Sequence, residues 1–506
     1  MAEPVTRKKR VLIFIVAYNA EKTIQDVLRR IPPELQQYDT EVLIIDDASR
    51  DRTFERGEEA RRAGQLPFKL TVLFNPVNQG YGGNQKIGFH YAIQQGFDAV
   101  ALVHGDGQYA PECLPDLLQP LIAGEADAVF GSRMMTPGGA RRGGMPLYKF
   151  VGNKILTAYQ NRMLRARLSE FHSGYRLYSV PALARLPFHL NSNVFHFDTE
   201  IIIQFLFAGM RIKELPIPTY YGDEICHVDG LKYAWDVAKA TLIARAQSWG
   251  IFYDRKYDVS PEGFEHYTPK FGYRSPHSLA LAAAKPGQSV LDLGCAGGYV
   301  SRALKAKGCR VTGVDKYPVD IVEAGLDRFI QHDLDGETLP VSFEGYDLVL
   351  LLDVIEHLRS PEQFVAALAR AARFAPETKI IVSSGNIGFA VARVMLLIGQ
   401  FNYGKRGILD LTHKRLFTFK SLRSLFEQSG FRVERVEGVP APFPEAVGDG
   451  PVARALLALN GALIGLWRSL FSYQMFMEVR PLPSLDYLLM SANRESAARA
   501  ERSAAE

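Results

Sequence analysis

A chain of 506 residues is long for one domain and suits two or three. With 47% hydrophobic residues, 23% charged residues and a net charge of +4, it has the make-up of ordinary globular protein, and no basic tract interleaved with aromatics points to nucleic acid. Its four cysteines, Cys113, Cys226, Cys295 and Cys309, share no C-x-x-C spacing, which argues for free thiols in a reducing compartment and against zinc.

Arg7–Arg10 followed by Val11–Ala17 imitates a secretory signal. The apolar run is short and passes straight into Tyr18, Asn19 and a helical pattern, so a first buried strand is expected instead. No stretch reaches the roughly 18 uninterrupted apolar residues of a membrane-spanning helix. Strand and helix then alternate. Val11–Ala17, Glu41–Ile45, Leu70–Phe74, Ala99–Val103 and Asp127–Phe130 read as strands, and Glu21–Arg30 and Gly83–Gly96 as helices. This predicts an α/β domain on a mostly parallel sheet, with ligands outside the carboxyl ends of the strands. Met134–Met145, rich in Gly and Pro, reads as a loop, and Ser173–Arg176 as a turn. Helical patterns follow at Leu147–Leu164, Phe197–Ala208 and Val228–Trp249, with an extended segment at Arg211–Tyr220. Asp254–Ser275 reads as a linker or lid.

The second domain is expected over 251–506, after a first over 1–250. Its opening unit, Ser289–Asp315, reads as strand, glycine turn, helix, strand and closing acid, a βαβ unit. Tyr346–Leu352, Lys379–Val382, Phe431–Val436 and Met475–Val479 supply further strands, and Ser360–Phe374 a helix. Two apolar segments, Ile387–Phe401 and Ala453–Leu470, read as core and dimer surface, with burial in the cap of this domain expected, or as interfacial membrane helices. The last dozen residues look frayed.

The polar residues of the first half gather at strand ends: Tyr18 and Asn19, Asp46 and Asp47, Asn75–Gly83, His104–Gln108. Carboxylates beside a diphosphate suit a nucleotide sugar held through Mg²⁺ or Mn²⁺, because the hard cation takes oxygen ligands and neutralises the leaving nucleoside diphosphate. The stretches VAYNAEKTI, IIDDASRDRT, NQGYGGNQKIGF, HGDGQYAPE, GSR and SGYRLYS occur in that order. Together they resemble family-two glycosyltransferases of the GT-A fold, in the branch similar to dolichol-phosphate-mannose synthase. The resemblance implies that Ala17, Tyr18, Asp46 and Asp47 lie along the nucleotide and that Asn78–Lys86, Lys86 included, shapes the diphosphate side. It makes Asp106 the metal ligand of the Asp-x-Asp motif and Arg176 a phosphate contact. The first acid of that motif is His104 here, a residue that ligates Mn²⁺ better than Mg²⁺. Asp198 and Glu200 are candidate general bases for a hydroxyl acceptor, whereas a polyprenyl phosphate needs none.

In the second half, Ala296 and Tyr299 stand where a G-x-G-x-x-G fingerprint needs glycine, which excludes a dinucleotide turn. The run Asp292 to Gly298, with Gly294 and Gly298, instead resembles motif I of class I S-adenosylmethionine-dependent methyltransferases. This resemblance implies that Asp315 holds the ribose, that Asp333 lies near the adenine amino group, and that Asp353 lines the cofactor site. LLLDVIEHLRSPEQF, residues 350–364, is similar to quinone O-methyltransferases. His357 and His413 are candidate bases for an oxygen acceptor. Asp353, Glu356 and His357 are the alternative as ligands of a divalent ion.

The expected architecture is a GT-A nucleotide-sugar-binding domain followed by a Rossmann-like class I methyltransferase domain. The expected activity is sugar transfer from a nucleotide donor to a lipid-phosphate or saccharide acceptor, joined to O-methylation in one glycan pathway. Cytoplasmic placement with peripheral contact at the inner membrane face follows. The rivals are a methyltransferase with a non-catalytic docking module, and a quinone-type small-molecule O-methyltransferase.

Overall fold

The computed structural model describes residues 7–220, 229–249, 251–259, 270–336 and 338–505. The chain divides into two compact units, Met1–Gln247 with Asp254–Gly263, and Ser248–Tyr253 with Phe264–Glu506.

The first unit is built on a seven-stranded sheet: β1 (Arg10–Ala17), β2 (Asp39–Asp46), β3 (Lys69–Phe74), β4 (Ala99–His104), β5 (Ala128–Ser132), β6 (Arg176–Ser179) and β7 (Ile212–Pro216). Their spatial order is β3-β2-β1-β4-β6-β5-β7. Val11–Ile15 are wholly buried because helices cover both faces of the central strand, which is why this strand reads as a continuous apolar run. The register pairs Ala17 with Asp46 and Val16 with His104, so the ends of β1, β2 and β4 align. The chain winds from β1 to β2 and β3 on one side and returns to β4 on the other. The crevice of an open α/β sheet therefore falls between β1 and β4, where His104 and Asp106 lie. One expectation fails here. Arg176, expected in a turn, opens β6, which runs antiparallel to both β4 and β5. Four residues are too short for a strand period to register in the sequence.

The second unit has its own seven-stranded sheet: β8 (Ser289–Leu293), β9 (Arg310–Asp315), β10 (Arg328–Gln331), β11 (Leu348–Leu352), β12 (Lys379–Gly385), β13 (Phe431–Val439) and β14 (Gln474–Pro481). The order is β10-β9-β8-β11-β12-β14-β13, with β14 antiparallel to both neighbours. The switch point lies between β8 and β11, so the glycine turn after β8 and Asp353 after β11 face one crevice.

Two further expectations are corrected. The apolar segments are not buried in a cap: the helices Ala390–Leu397 and Pro451–Leu466 bury only Ala392 with Met395 and Ala453 with Asn460, while Leu397 and Leu466 are 85% and 82% exposed. Polar pins rather than core contacts hold this region. The Asn460 amide donates to Phe471 O and accepts from Ala441 N–H, and the Asn386 amide donates to Ser469 O and Ser472 O. The C-terminus, expected to fray, forms a helix over Leu485–Ala505, as its alanine- and arginine-rich composition allows. Val228, from which the helix Gly230–Gln247 was expected to start, and 260–269 of the expected lid lie outside the described residues. No helix among the described residues is long and apolar enough to cross a membrane.

Candidate functional sites

In the first unit the end of β2 carries two acids with different work. Asp47 is fully committed: its carboxylate accepts from Asn75 Nδ2 and Gln79 N–H at 2.8 Å and from Gly80 N–H at 2.9 Å. It staples the loop after β3. Asp46 is wholly buried; Oδ1 accepts from Ser49 N–H at 2.9 Å, and Oδ2 has no partner. Burial raises its pKa. A buried carboxylate oxygen without a donor is costly unless a ligand supplies one. Of the expected pair, Asp46 is therefore the acid with capacity left for a base or ribose, beside buried Ala17 and half-exposed Tyr18. Asp51 and Thr53 tie the turn after β2 to the turn after β1, through Glu21 N–H and Ala20 N–H.

On the expected diphosphate side, the start of the helix is tied to a distant loop. The helix Tyr81–Gln94 begins with Gly82 and Gly83 N–H groups donating to Asn193 O, and a Cβ at Gly82 would lie 2.6 Å from Ser192 O and from Phe197 Cβ. Lys86 Nζ is drawn to Asn191 O and to Asn193 Oδ1, the latter at 2.7 Å, so it secures the loop around Asn193.

Arg176 also departs from expectation. It is 1% exposed, and Nε, Nη1 and Nη2 each donate at 2.8 Å to the carbonyls of Ser173, Asp198 and Phe171. Its guanidinium is spent on the backbone and on the Asp198 carboxylate at 3.6 Å. That leaves no fork for a phosphate. Asp198 accepts from Tyr81 Oη at 3.0 Å and Gln85 Nε2 at 3.2 Å. Glu200 is buried against Lys256 Nζ at 2.8 Å and Ser192 N–H at 2.6 Å. Neither acid is an open base.

At the end of β4, His104 sits edge-on between the rings of Tyr81 and Tyr109, with centroids 5.6 and 5.0 Å away. Its Nε2 lies 3.2 Å from Tyr81 Oη. Burial lowers its pKa, so the ring is held neutral, the form that ligates metal. Gly174 is required here: a Cβ would lie 2.6 Å from the imidazole. Asp106 Oδ1 accepts from Gln108 N–H at 3.0 Å. Among the described residues no three His, Cys, Asp or Glu side chains converge on one metal position. His104 closes β4 and Asp106 follows two residues later; an imidazole with a carboxylate is a donor pair that suits Mn²⁺ better than Mg²⁺.

In the second unit the turn after β8 is shaped for close approach. Gly294 and Gly298 have φ of +81° and +72°, and a Cβ at either would lie within 2.5 Å of Val354 or Ala324. Ala296 shares the left-handed region at φ +43°. Asp315 accepts from Ala296 N–H at 2.9 Å and from Tyr317 N–H at 3.0 Å, linking the acid after β9 to the turn. Asp333 is exposed beyond β10, its Oδ1 accepting from Asp335 N–H at 3.0 Å. Asp292 is buried, bonded by Ser301 Oγ at 2.7 Å, and burial pushes its pKa up to about 6. It props the turn from beneath.

Asp353 sits at φ +55° with its carboxylate taken by Ser383 Oγ and Gln474 Nε2, both at 2.7 Å. That disfavours an Asp353–Glu356–His357 ion site. Glu356 is buried beside it, with Oε2 unpartnered and a pKa raised to about 8, first by burial and then by Asp353. His357 and His413 meet edge to face at 4.7 Å. Burial, then the neighbouring His413, lowers the His357 pKa. His413 Nδ1 lies 2.9 Å from Ile408 O; a carbonyl only accepts, so Nδ1 carries the proton and Nε2 keeps its lone pair. His277, passed over in the sequence, lies in the first turn of the helix Pro276–Ala283; burial lowers its pKa, and the Asp353 charge opposes that. In the first unit Lys256 was not singled out in the sequence, while Tyr81, Gln85 and Gly174 fall inside expected motifs without the partners that the structure gives them. Tyr81 lies inside a quoted motif, but its partner Asp198 is 117 residues away.

The two crevices define a pair of transferase sites in one chain. Residues 12–186 match the model of glycosyl transferase family 2, and residues 264–436 match that of a methyltransferase domain. The UDP-N-acetylglucosamine–dolichyl-phosphate N-acetylglucosaminyltransferase of Methanococcus voltae is 30% identical over 222 residues, 42% of this chain and 86% of that protein. The undecaprenyl-phosphate mannosyltransferase of Micrococcus luteus is 31% identical over 209 residues, 41% of this chain and 82% of that protein. The ubiquinone biosynthesis O-methyltransferase of Aeromonas salmonicida is 29% identical over 163 residues, 30% of this chain and 66% of that protein. The chain therefore belongs to glycosyltransferase family 2 through its first unit, and its second carries a methyltransferase domain, whose cofactor is S-adenosylmethionine.

Proposed function

We propose that the first unit transfers a sugar from a nucleoside diphosphate donor to a polyprenyl phosphate, and that the second methylates a hydroxyl in the same envelope-glycan pathway. The observation that carries the choice of acceptor is the commitment of both candidate bases. A sugar hydroxyl would need a base, yet Asp198 is held by Tyr81, Gln85 and Arg176, and Glu200 by Lys256 and Ser192. A phosphate oxygen is already anionic and needs none. Two of the relatives bear names with dolichyl and undecaprenyl phosphate.

Asp46 would take the nucleoside through its unpartnered oxygen. His104 and Asp106 would hold the divalent cation, which when bound stabilises the departing diphosphate. Transfer would invert the anomeric carbon. In the second unit, Asp315 would hold the ribose and Asp333 the adenine edge, and bound S-adenosylmethionine supplies an activated methyl group. The reaction there is mostly positioning, with His413 Nε2 as the group able to take the acceptor's proton. A neutral Glu356 would donate within the site.

Peripheral contact with the inner membrane face fits this acceptor. Residues 128–169 contain eight Arg or Lys, of which Arg133 is buried against Glu170, and no acid, and the helix Leu147–Leu164 exposes Leu147, Tyr148, Val151 and Ile155. The test is to incubate the full chain with undecaprenyl phosphate, Mn²⁺ and each of several UDP- and GDP-sugars, following glycolipid and nucleoside diphosphate by mass spectrometry. Glycolipid formation is expected. Transfer only to free saccharides, or no release of nucleoside diphosphate from any donor, would refute the reading. Loss of a methylated sugar from lipid-linked glycans in cells without the gene is expected for the second unit.

A further inference from the structure

We infer that Tyr81 is a positioning residue that sets the tautomer of His104, leaving Nδ1 as the lone pair offered to the cation of the donor site. The inference rests on the reading of His104 and Asp106 as that cation's ligands.

Proton accounting assigns the direction of each bond. Tyr81 Oη lies 3.0 Å from Asp198 Oδ2 and 3.2 Å from His104 Nε2. It has one proton to give and can accept besides. The Asp198 carboxylate already faces the Gln85 amide at 3.2 Å and the Arg176 guanidinium at 3.6 Å, both donors. In that company it is an acceptor only, so Tyr81 donates to Asp198. The Tyr81 oxygen can then only accept from His104, which places the proton on Nε2, the side of the ring against which the Gly174 backbone also lies, and leaves Nδ1 without a proton. A ring nitrogen that ligates a metal needs its lone pair, and the bond made by the other nitrogen decides which one has it.

The surroundings hold this arrangement in place. Tyr81 stacks on Phe195 at 5.1 Å, and Tyr109 lies edge-on to the imidazole at 5.0 Å. Tyr109 Oη accepts from Gly174 N–H at 2.7 Å, which sets the glycine backbone against the Nε2 side of the ring. Asp198 and Arg176 thus act on the donor site through Tyr81. A histidine can stand where the family motif has a carboxylate because a buried chain of hydrogen bonds fixes which ring nitrogen keeps its lone pair.

The test uses ¹⁵N-histidine-labelled full-length protein, with His104→Gln to assign the signal, and Tyr81→Phe to remove the hydroxyl while keeping the stacked ring. The wild type should show His104 protonated at Nε2, and Y81F a mixture of tautomers. Titrating Mn²⁺ by electron paramagnetic resonance, with UDP and with GDP present, should show about tenfold weaker binding in Y81F, the loss typical of outer-sphere partners. A proton at Nδ1 in the wild type, or equal Mn²⁺ affinity in Y81F, would overturn the inference. Absence of Mn²⁺ binding by the wild type with either nucleotide would overturn the donor-site reading and the cation role with it, while the wild-type tautomer signal still decides what Tyr81 does.

Discussion

Burying Asp292 makes the second unit sensitive to pH in a predictable direction. Its pKa is raised from 3.8 to about 6, with burial the leading cause and the Ser301 hydroxyl opposing it. At 1.36 kcal/mol per pH unit, this difference corresponds to about 3 kcal/mol. The folded protein holds the proton more tightly than the unfolded chain. The stabilisation is therefore fully present below about pH 4 and is lost as pH rises through about 6. Asp292→Asn removes the titration while keeping the shape and a partner for Ser301. The stability of the variant minus that of the wild type should therefore climb by about 3 kcal/mol from pH 4 to 7 and then level off. Native-state hydrogen exchange of the Val290–Leu293 amides reads this locally, without assuming that both units unfold together. Taking the difference cancels Glu356 and every other group that titrates in both proteins. A difference that stays flat across this range, or that falls with pH, would refute the burial argument.

Four other outcomes follow from the same geometry. Gly298→Ala places a Cβ 2.4 Å from Ala324 at φ +72°, so about 2–4 kcal/mol of destabilisation and a lower melting temperature are expected. Ala296→Gly relieves a left-handed alanine whose own N–H group bonds Asp315. A small gain in thermal stability, below about 1 kcal/mol, with S-adenosylmethionine affinity by calorimetry equal or improved, is expected. Arg176→Met leaves three buried carbonyls without their donor and the Asp198 carboxylate without its cation. The loss should appear as about 3–5 kcal/mol of stability in chemical denaturation rather than as a selective rise in donor KM. His413→Gln should lower kcat for methyl transfer by about 10²–10⁴ while leaving cofactor affinity near wild type, and unchanged kcat would remove His413 from the mechanism.

Much of both sheets was readable because their central strands are buried on both faces. Val11–Ala17 and Ala99–Val103 show this as unbroken apolar runs, and Val290–Leu293 as an apolar run broken only by the buried Asp292; each ends where a polar motif begins. β6 was not readable, since four residues between β4 and β5 carry no period of their own. The two apolar helices were misjudged for another reason. Composition reports how apolar Leu397 and Leu466 are, but not whether anything covers them. Within the sites, residue type outran residue role. Asp46 and Asp47 look alike in sequence, yet one holds a loop and the other keeps an unpartnered oxygen. Arg176 and Glu200 have the chemistry of catalysis and are consumed by buried pairings.

The sequence by itself determined that this chain carries two nucleotide-type crevices. It did so because glycine turns, strand-end acids and apolar periods are local features, written within one βα unit at a time. Only the tertiary structure decided which acids remain open, which way the proton sits on His413, and how His104 is held. Each of these depends on a donor or acceptor brought from a distant part of the chain. Asp198 reaches Tyr81 across 117 residues and Gln474 reaches Asp353 across 121. Hydrogen-bond capacity is finite, and which atoms have spent theirs is settled only when the chain has folded.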